Sequence, residues 1–267
     1  MNAFYRDIYE KLRAVDDNPM RLFRWLLEGL NIDNTGNNVS SDDQMRIDTA
    51  IERLLAFEPL SKILNEKEFY GRNFKTTGAT LDPRFDTEIL IQAAKAYFEK
   101  DESYHFLDCG TGTGCIIITL LLEFPQARGV AVDLSLDALT VAIENAERLG
   151  VSDRVTFLHS DWLNNVTGTF DGIFSNPPYI EQDYPLHPSV ALYDPKDALF
   201  GGVDGLDAYH LLFKGLHAQC TKDTFLFFEI GFNQGESVPR LAEKYHFTVV
   251  EMLQDSQNHP RGVILKS

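Results

Sequence analysis

The first 64 residues carry apolar positions at the spacing of amphipathic helices. In the first predicted helix the apolar positions are Phe4, Ile8, Leu12 and Val15. A second helix is predicted from Asn18-Pro19, a capping residue followed by proline at the first helical position, to about Leu30. Ser41 is expected to cap a third helix, and Pro59 to begin a short fourth one. Residues 1–64 are therefore predicted to form a small helical bundle.

The third helix is predicted to place its apolar side chains largely on one face. These side chains are Met45, Ile47, Ile51, Leu54 and Leu55. The polar, glycine-containing stretch 31–38 predicts a loop before this helix. After the bundle, residues 65–82 place aromatic and threonine residues on both sides of Gly71-Arg72-Asn73. This pattern predicts a hairpin that links the bundle to the rest of the chain.

From residue 83 onward, short apolar runs alternate with amphipathic segments. The runs predict seven strands, near 105–108, 129–133, 155–158, 170–175, 224–230, 247–253 and 261–266. The amphipathic segments predict helices near 86–99, 115–123, 135–149, 205–219 and 236–246. Strands separated by helices are typical of a parallel, doubly wound α/β sheet, and two consecutive strands at the end predict an antiparallel edge. Residues 83–267 are thus predicted to form one α/β domain.

The charge of the chain is acidic and unevenly distributed. Its 267 residues include 24 Lys and Arg and 40 Asp and Glu, which gives a net charge of −16. Residues 1–75 hold 11 basic and 13 acidic residues, whereas residues 76–267 hold 13 basic and 27 acidic ones. Because proteins that bind duplex nucleic acid neutralise its phosphates with basic surfaces, stable nucleic-acid binding is not expected. A basic protein or a cationic small molecule is the better partner.

The three cysteines, Cys109, Cys115 and Cys220, form no paired motif. Their odd number and the absence of CxxC spacing argue against a disulfide framework and against a zinc site, so no metal is predicted. Free thiols suit a reducing compartment. The sequence has no apolar run of about 18 residues and no apolar signal segment at its start. We therefore expect a cytoplasmic chain without membrane contact, acting as a monomer.

A glycine-rich loop, Asp108-Cys109-Gly110-Thr111-Gly112-Thr113-Gly114, follows the first strand of the α/β domain. At the carboxyl end of such a strand, glycines let the backbone approach a ligand closely, although they can also form a tight turn without one. A dinucleotide fingerprint requires G-x-G-x-x-G, but Cys115 stands where the third glycine should be. Asp108 would repel a diphosphate and would suit a cofactor that carries an ammonium and a sulfonium, such as S-adenosylmethionine.

Two further strand ends carry candidate ligand-binding residues. Asp133 ends the second strand of the domain, where a carboxylate can accept hydrogen bonds from both hydroxyls of a ribose. This position alone does not separate a methyltransferase from a dehydrogenase, and a solvated carboxylate is the simpler alternative. Asp161-Trp162 follows the third strand, where the indole could flank an adenine ring or belong to the core.

The fourth strand, 170–175, is followed by the loop Asn176-Pro177-Pro178-Tyr179. The two prolines remove two N–H donors, so the loop's carbonyl oxygens face few local competitors. A planar NH₂ group needs two acceptors in its plane, and the side-chain carbonyl of Asn176 with the backbone carbonyl of Pro177 could supply them. Tyr179 could stack on the flat face of the substrate. A rigid turn without a ligand is the alternative. The loop predicts a methyl acceptor with a planar, amide-type nitrogen.

These motifs resemble those of the class I methyltransferases that modify amino groups. More narrowly, the chain resembles the protein-(glutamine-N5) methyltransferases of peptide chain release factors, the HemK/PrmC family, over almost its whole length. Several segments outside the two loops are also similar to that family: Glu58-Pro59-Leu60, Phe69-Tyr70-Gly71, Pro83-Arg84, Asp86-Thr87-Glu88, Asp194-Pro195, Ala198-Leu199, Gly201 to Leu206, Glu229-Ile230-Gly231 and Gln234. The Asn-Pro-Pro-Tyr loop itself is shared with DNA adenine methyltransferases, so these segments carry the narrower resemblance.

The resemblance implies a seven-stranded class I methyltransferase fold and a role for each matching residue. S-adenosylmethionine would be bound by Asp108, Gly110, Thr111, Gly112, Thr113, Gly114, Asp133, Asp161, Trp162 and Asn176. The glutamine of the release factor's Gly-Gly-Gln motif would be held by Asn176, Pro177, Pro178 and Tyr179, with Asn176, Pro177 and Tyr179 acting in catalysis. Residues 1–64 would grip the protein substrate, with 65–82 as the linker and 83–267 as the methyltransferase domain.

The chain departs from the family pattern at a few positions. Phe85 stands where the family usually has proline, and Asp82 where it usually has an apolar residue. Residues 255–261 match loosely. Arg84 and Glu88 could serve only as a structural ion pair. Three other functions stay open: a glutamine methyltransferase acting on a ribosomal protein, a nucleic-acid N6-adenine methyltransferase, and a non-catalytic binding module of the same fold.

Overall fold

The computed structural model describes residues 3–32 and 39–267, with side chains from residue 6 onward. The side chain of Phe4 and most of the loop predicted over 31–38 lie outside these described residues. The chain divides into two compact units. The first comprises Met1–Glu66 and Leu186–Tyr193, and the second comprises Lys67–Pro185 and Asp194–Ser267.

The helices and strands are numbered in chain order. The helices are α1 Ala3–Leu12, α2 Pro19–Gly29, α3 Ser41–Leu55, α4 Leu60–Leu64, α5 Glu88–Tyr97, α6 Cys115–Glu123, α7 Leu136–Arg148, α8 Pro188–Tyr193, α9 Asp207–Gly215 and α10 Ser237–Lys244. The strands are β1 Glu66–Phe69, β2 Arg72–Lys75, β3 His105–Cys109, β4 Arg128–Asp133, β5 Val155–His159, β6 Phe170–Ser175, β7 Cys220–Glu229, β8 Thr248–Gln254 and β9 Pro260–Lys266. None of the helices within the described ranges is long and apolar enough to cross a membrane.

The first unit is a helical bundle in which α1, α2 and α3 enclose a core of their own. The predicted apolar face of α3 is partly wrong, because Met45 is 68% exposed and Leu55 37% exposed. The buried stripe of this helix runs instead through Ile47, Ala50, Ile51 and Leu54. At about 100° per residue these four positions lie on one side of the helix, whereas Met45 faces away from them.

The sequence pattern did not predict α8, although this short helix belongs to the first unit. Its residues are half-exposed or exposed, so they lack the apolar stripe on which periodicity depends. Its anchors are polar and aromatic contacts. The Tyr193 hydroxyl donates to the carbonyl of Ala56 at 2.9 Å, and His187 packs edge-on against Phe57. The segment 186–193 therefore belongs to the first unit, although the residues before and after it in the chain belong to the second.

The hairpin predicted within residues 65–82 is present as β1 and β2. Its turn places Tyr70 and Gly71 at positive φ, the conformation of a tight two-residue hairpin. Phe69 and Phe74 are fully buried in the core that underlies the large sheet. Most of the hairpin is thus part of the second unit.

The second unit confirms the predicted doubly wound sheet of seven strands. Its order is β5-β4-β3-β6-β7-β9-β8, parallel except for β9, which is antiparallel to β7 and β8. The helices α5, α6 and α7 pack on one face, and α9 and α10 on the other. Successive side chains of a strand point to opposite faces of the sheet. Phe174 therefore lies in the core beneath α5, α6 and α7, and Ile173 lies in the core beneath α9 and α10. Each such buried side chain contributes about 1.5–3 kcal/mol.

The boundaries of two predicted helices differ from the observed ones near the site. The helix predicted over 86–99 begins with a 3₁₀ turn, Phe85–Thr87, and continues as α5. The helix predicted over 205–219 ends as α9 at Gly215 and is followed by a 3₁₀ turn, Leu216–Gln219. In both cases the tighter turn occupies a helix end, where 3₁₀ hydrogen bonding is common.

Candidate active site

The strand order reverses between β3 and β6, and both strands end at the same edge of the sheet. In doubly wound sheets, ligands bind in the crevice outside the carboxyl ends of the strands at this reversal. The two strand ends are tied together because the buried hydroxyl of Ser175 donates to the carbonyl of Cys109 at 2.7 Å. This bond brings the glycine loop after β3 next to the Asn-Pro-Pro-Tyr loop after β6.

A cavity of about 590 Å³ opens at this edge of the sheet. The predicted residues that line it are Gly110, Thr111, Gly112, Thr113, Asp133, Asp161, Trp162, Asn176 and Pro178. The other predicted residues, Asp108, Gly114, Pro177 and Tyr179, are not part of its lining. Further parts of its wall come from 79–84, from Thr87, from residues at the starts of α6 and α7 and from several residues between Pro195 and Leu211, none of which were predicted as ligand contacts.

The glycine loop is held by its neighbour strand so that Gly112 faces open space. Gly110 and Thr111 donate their backbone N–H groups to Val132, each at 2.9 Å, and Gly112 donates to a carboxylate oxygen of Asp133 at 2.8 Å. Gly112 has a φ of +55°, and a side chain built there would meet no atom within 4 Å. A residue with a side chain would be strained at this φ and would project into the cavity.

Asp108 is a fully buried carboxylate beneath the glycine loop. One of its oxygens accepts a hydrogen bond from the Thr111 hydroxyl at 2.6 Å, and the other has no partner in the described part of the chain. Burial raises the pKa of Asp108 to about 7, because the low-dielectric interior disfavours its charge. A cation bound close to the loop, such as the ammonium or sulfonium group of S-adenosylmethionine, would favour the charged form of this carboxyl.

Asp133 and Trp162 border the same loop. The second carboxylate oxygen of Asp133 accepts from the backbone of Ser135 at 2.9 Å, so the carboxylate bridges the glycine loop and the start of α7. Both oxygens keep further lone pairs for ligand hydroxyls. Trp162 has a φ of +47°, and a side chain at Gly110 would meet its indole ring at 3.6 Å. These positions fit a ribose and an adenine ring.

Asn176 lies at the other side of the cavity, with its side-chain amide held in place. Its Nδ2 donates to the Thr87 hydroxyl at 3.1 Å, and no group in the described ranges donates to its Oδ1. The carbonyl oxygen of Pro177 likewise receives no hydrogen bond there. The Tyr179 hydroxyl donates to Glu229 at 3.1 Å, and the negative charge of Glu229 together with burial raises the pKa of this tyrosine.

The backbone of the loop is supported from behind by Gln234 and by glycines. The buried side-chain amide of Gln234 donates to the carbonyls of Tyr179 at 3.3 Å and Gly205 at 3.0 Å. A side chain at Gly205 would collide with the carbonyl of Tyr179, so the two backbones are in direct contact. These contacts hold the backbone of the Asn-Pro-Pro-Tyr loop in place without a ligand.

Thr87, Glu229 and Gln234 were missed as site residues, although each lies in a family-like segment named above. The available signal was that each is a polar residue close to a strand or helix end. The suggested ion pair of Arg84 and Glu88 is not formed: Arg84 binds Asp194 at 2.8 Å, while Glu88 accepts from the backbone of Tyr70 at 2.8 Å. Each of the two side chains is thus paired with a different group from the one suggested.

The raised pKa of Asp108 predicts pH-dependent ligand binding. A bound cation stabilises the charged carboxylate, so binding releases a proton below pH 7 and is weakened, by at most about tenfold per pH unit, as the pH falls. We expect the affinity for S-adenosylhomocysteine, measured by calorimetry, to increase from pH 5.5 to 7.5. Asp108→Asn should flatten this profile and lower the affinity at pH 7.5. An identical slope in the variant would assign the titration to another group.

The family model for the methyltransferase small domain matches residues 81–191. The release factor glutamine methyltransferase of Cereibacter sphaeroides is 44% identical over 220 residues, which cover 82% of this chain and 78% of that protein. The release factor glutamine methyltransferase of Agrobacterium fabrum is 38% identical over 229 residues, covering 84% and 79% respectively.

Among solved structures, the ribosomal protein L11 methylase of Lactobacillus delbrueckii subsp. bulgaricus is similar with a TM-score of 0.54. It is 18% identical, and the alignment covers 71% of this chain and 81% of that chain. At this identity the likeness shows a shared methyltransferase fold and does not extend to the substrate.

Proposed function

Because the chain belongs to the family of release factor glutamine methyltransferases, we propose that it methylates the side-chain amide nitrogen of the glutamine in the Gly-Gly-Gln motif of peptide chain release factors. The methyl donor is S-adenosylmethionine. The observation that carries the proposal is the anchored amide of Asn176, whose Nδ2 is bound to Thr87 while its Oδ1 is left for a ligand at the cavity. Membership of the family confirms the resemblance found in the motifs.

The donor would be held along the glycine loop and the neighbouring strand ends. Asp133 is placed to accept from the ribose, Trp162 to flank the adenine, and Gly112 to give the donor room. The buried charge of Asp108 would favour its cationic groups. The remaining contacts are proposed for Gly110, Thr111, Thr113, Gly114, Asp161 and Asn176.

The chemistry requires orientation more than acid–base catalysis. A glutamine amide nitrogen is a poor nucleophile because its lone pair is delocalised into the carbonyl group. The donor supplies a methyl group that is already activated by the positive charge on sulfur. Oδ1 of Asn176 and the carbonyl of Pro177 would accept the two amide hydrogens and fix the plane of the nitrogen. Such positioning can contribute about 7–11 kcal/mol at its limit.

Acceptors on the two amide hydrogens also stabilise the positive charge that develops on nitrogen during transfer. Pro178 and Tyr179 would bound the glutamine side chain. The Tyr179 ring is half-buried and its hydroxyl is held by Glu229, so it would act as a fixed wall. The proton can leave for water after the methyl group has moved.

We propose that residues 1–64, the larger part of the first unit, grip the protein substrate. On α2, Met20 is 62% exposed and Trp25 46% exposed, so both side chains are available for contact with a protein. The three free cysteines are consistent with the proposed cytoplasmic location, where thiols stay reduced.

The test is methyl transfer from labelled S-adenosylmethionine to a panel of substrates. We expect label in a whole release factor and none in the same protein with its Gly-Gly-Gln glutamine replaced by alanine. A short Gly-Gly-Gln peptide should show a higher KM than the whole factor, because it cannot engage the first unit. Label in a ribosomal protein or in duplex DNA, with none in the release factor, would contradict the proposal.

A further inference from the structure

Thr87 is the last residue of the 3₁₀ turn that leads into α5, and its backbone is already helical. It immediately precedes α5, yet its side chain makes no capping hydrogen bond to that helix. Its hydroxyl instead accepts a hydrogen bond from Nδ2 of Asn176, 89 residues away in the chain. The side chain is 2% exposed, so water does not compete for this bond. The Thr87 hydroxyl thus contacts the Asn-Pro-Pro-Tyr loop and not its own helix.

Glu229 connects Thr87 to the other end of the same loop. It ends β7, is 1% exposed, and accepts from the Tyr179 hydroxyl at 3.1 Å. Burial raises the pKa of Glu229 to about 7, and the hydroxyls of Thr87 and Tyr179 partly counteract this increase. Asp86 and Arg261 are the other charged groups that act on it, with opposite signs. Glu229 thus bonds Tyr179 directly and acts on Thr87, which in turn holds Asn176.

A threonine hydroxyl can donate or accept, so the direction of the bond to Thr87 matters: Nδ2 of Asn176 donates and the hydroxyl accepts. An asparagine amide presents a donor on one side and an acceptor on the other, and a rotation of half a turn exchanges them. A substrate NH₂ group needs an acceptor, so a rotated amide would offer it N–H groups instead. With Nδ2 bound to a hydroxyl oxygen, Oδ1 is the atom left for the substrate.

We propose that Thr87 is a positioning residue for methyl transfer, acting with Glu229 to hold the Asn176 amide in the one orientation that accepts a substrate NH₂ group. This inference rests on the proposed function for its substrate. It adds a residue that touches neither of the reacting groups. Thr87 and Glu229 are positioned by α5 and β7, which are separate from the Asn-Pro-Pro-Tyr loop.

The experiment compares Thr87→Val, which keeps the shape and removes the hydroxyl, with Thr87→Ser, which keeps the hydroxyl. We expect Val to lower kcat for release factor methylation by about 10- to 100-fold, as loss of orientation at a reacting group does. Donor affinity should change far less than kcat, and Ser should restore most of the rate. Thr119→Val is the matched control, because Thr119 is buried in α6 with a hydroxyl that has no described partner.

A second readout needs no substrate. In the unliganded wild-type chain, one of the two Asn176 side-chain amide hydrogens should exchange more slowly by NMR, and Thr87→Val should abolish the difference. Equal exchange in the wild type, wild-type kcat in Val, or a Ser variant as slow as Val would each overturn the proposal. If the wild type methylates no release factor, the proposed function fails, while the exchange measurement still decides the role of Thr87.

Discussion

Replacing Asn176 with alanine is expected to lower kcat for methyl transfer by about 10²- to 10³-fold, which corresponds to about 2.7–4 kcal/mol of lost transition-state stabilisation. The alanine variant loses the oxygen that accepts a substrate N–H, and with it one of the two acceptors that set the plane of the nitrogen. Donor binding should change far less, because the glycine loop and Asp133 belong to other strand ends. Single-turnover transfer and calorimetric donor binding measure the two effects separately.

The matched control for this prediction is Asn164→Ala. Asn164 is exposed in the loop after β5 and forms no described side-chain hydrogen bond. Its replacement should leave both transfer and donor binding at wild-type levels. If Asn176→Ala retained wild-type kcat, the role assigned to its side-chain oxygen would be wrong, whatever the effect on KM.

Gly112→Val is expected to weaken donor binding by at least about 100-fold, since displacing a ligand from well-fitted contacts costs several kcal/mol and each 1.4 kcal/mol is tenfold. The β-branched side chain would enter the open space above Gly112 that a donor would occupy. The backbone there has a φ of +55°, so the variant should also lose about 1–3 kcal/mol of stability. Calorimetry with S-adenosylhomocysteine and thermal unfolding distinguish the two losses.

The variant Gly150→Val distinguishes the effect of backbone strain from the effect of blocking the cavity. Gly150 follows α7 with a φ of +74°, and a side chain there would also meet nothing within 4 Å. Since Gly150 does not line the cavity, its valine variant should lose similar stability and keep donor affinity. Comparable loss of affinity in both variants would mean that strain, rather than blockage of the cavity, explains the result at Gly112.

The parts of the site that the sequence predicted are those attached to strand ends. The alternation of apolar runs predicted where β3, β4 and β6 end, and parallel strands bring their carboxyl ends to one edge. Gly110, Asp133 and Asn176 could therefore be placed together, and all three line the cavity. The tight turn after β3 was also predictable, because positive φ favours glycine and so affects the sequence. A hydrogen bond between distant residues has no such effect on the sequence pattern.

The supporting contacts could not be predicted, because they depend on distances between elements far apart in the chain. The bond between Asn176 and Thr87 spans 89 residues, and that between Tyr179 and Glu229 spans 50. Periodicity places Thr87 at the start of a helix, where capping is the ordinary role. Only the packing of α5 against the sheet directs its hydroxyl to the loop.

The segment 186–193 escaped prediction for a different reason. Periodicity detects helices that bury an apolar stripe, and α8 buries none of its residues. Residues that are close in the sequence are expected to share a domain. The segment 186–193 was therefore predicted to be part of the α/β domain. The structure groups it with the helical unit through Tyr193 and His187.

The most direct test of the central claim is to locate the methyl group on the product. A whole release factor should be incubated with this chain and S-adenosylmethionine, digested, and sequenced by tandem mass spectrometry. We predict one added methyl group, on the side-chain nitrogen of the Gly-Gly-Gln glutamine, and at least about 100-fold slower addition when the enzyme carries Asn176→Ala. An unmodified glutamine after incubation with the wild-type chain, or a methyl group on another residue, would contradict it.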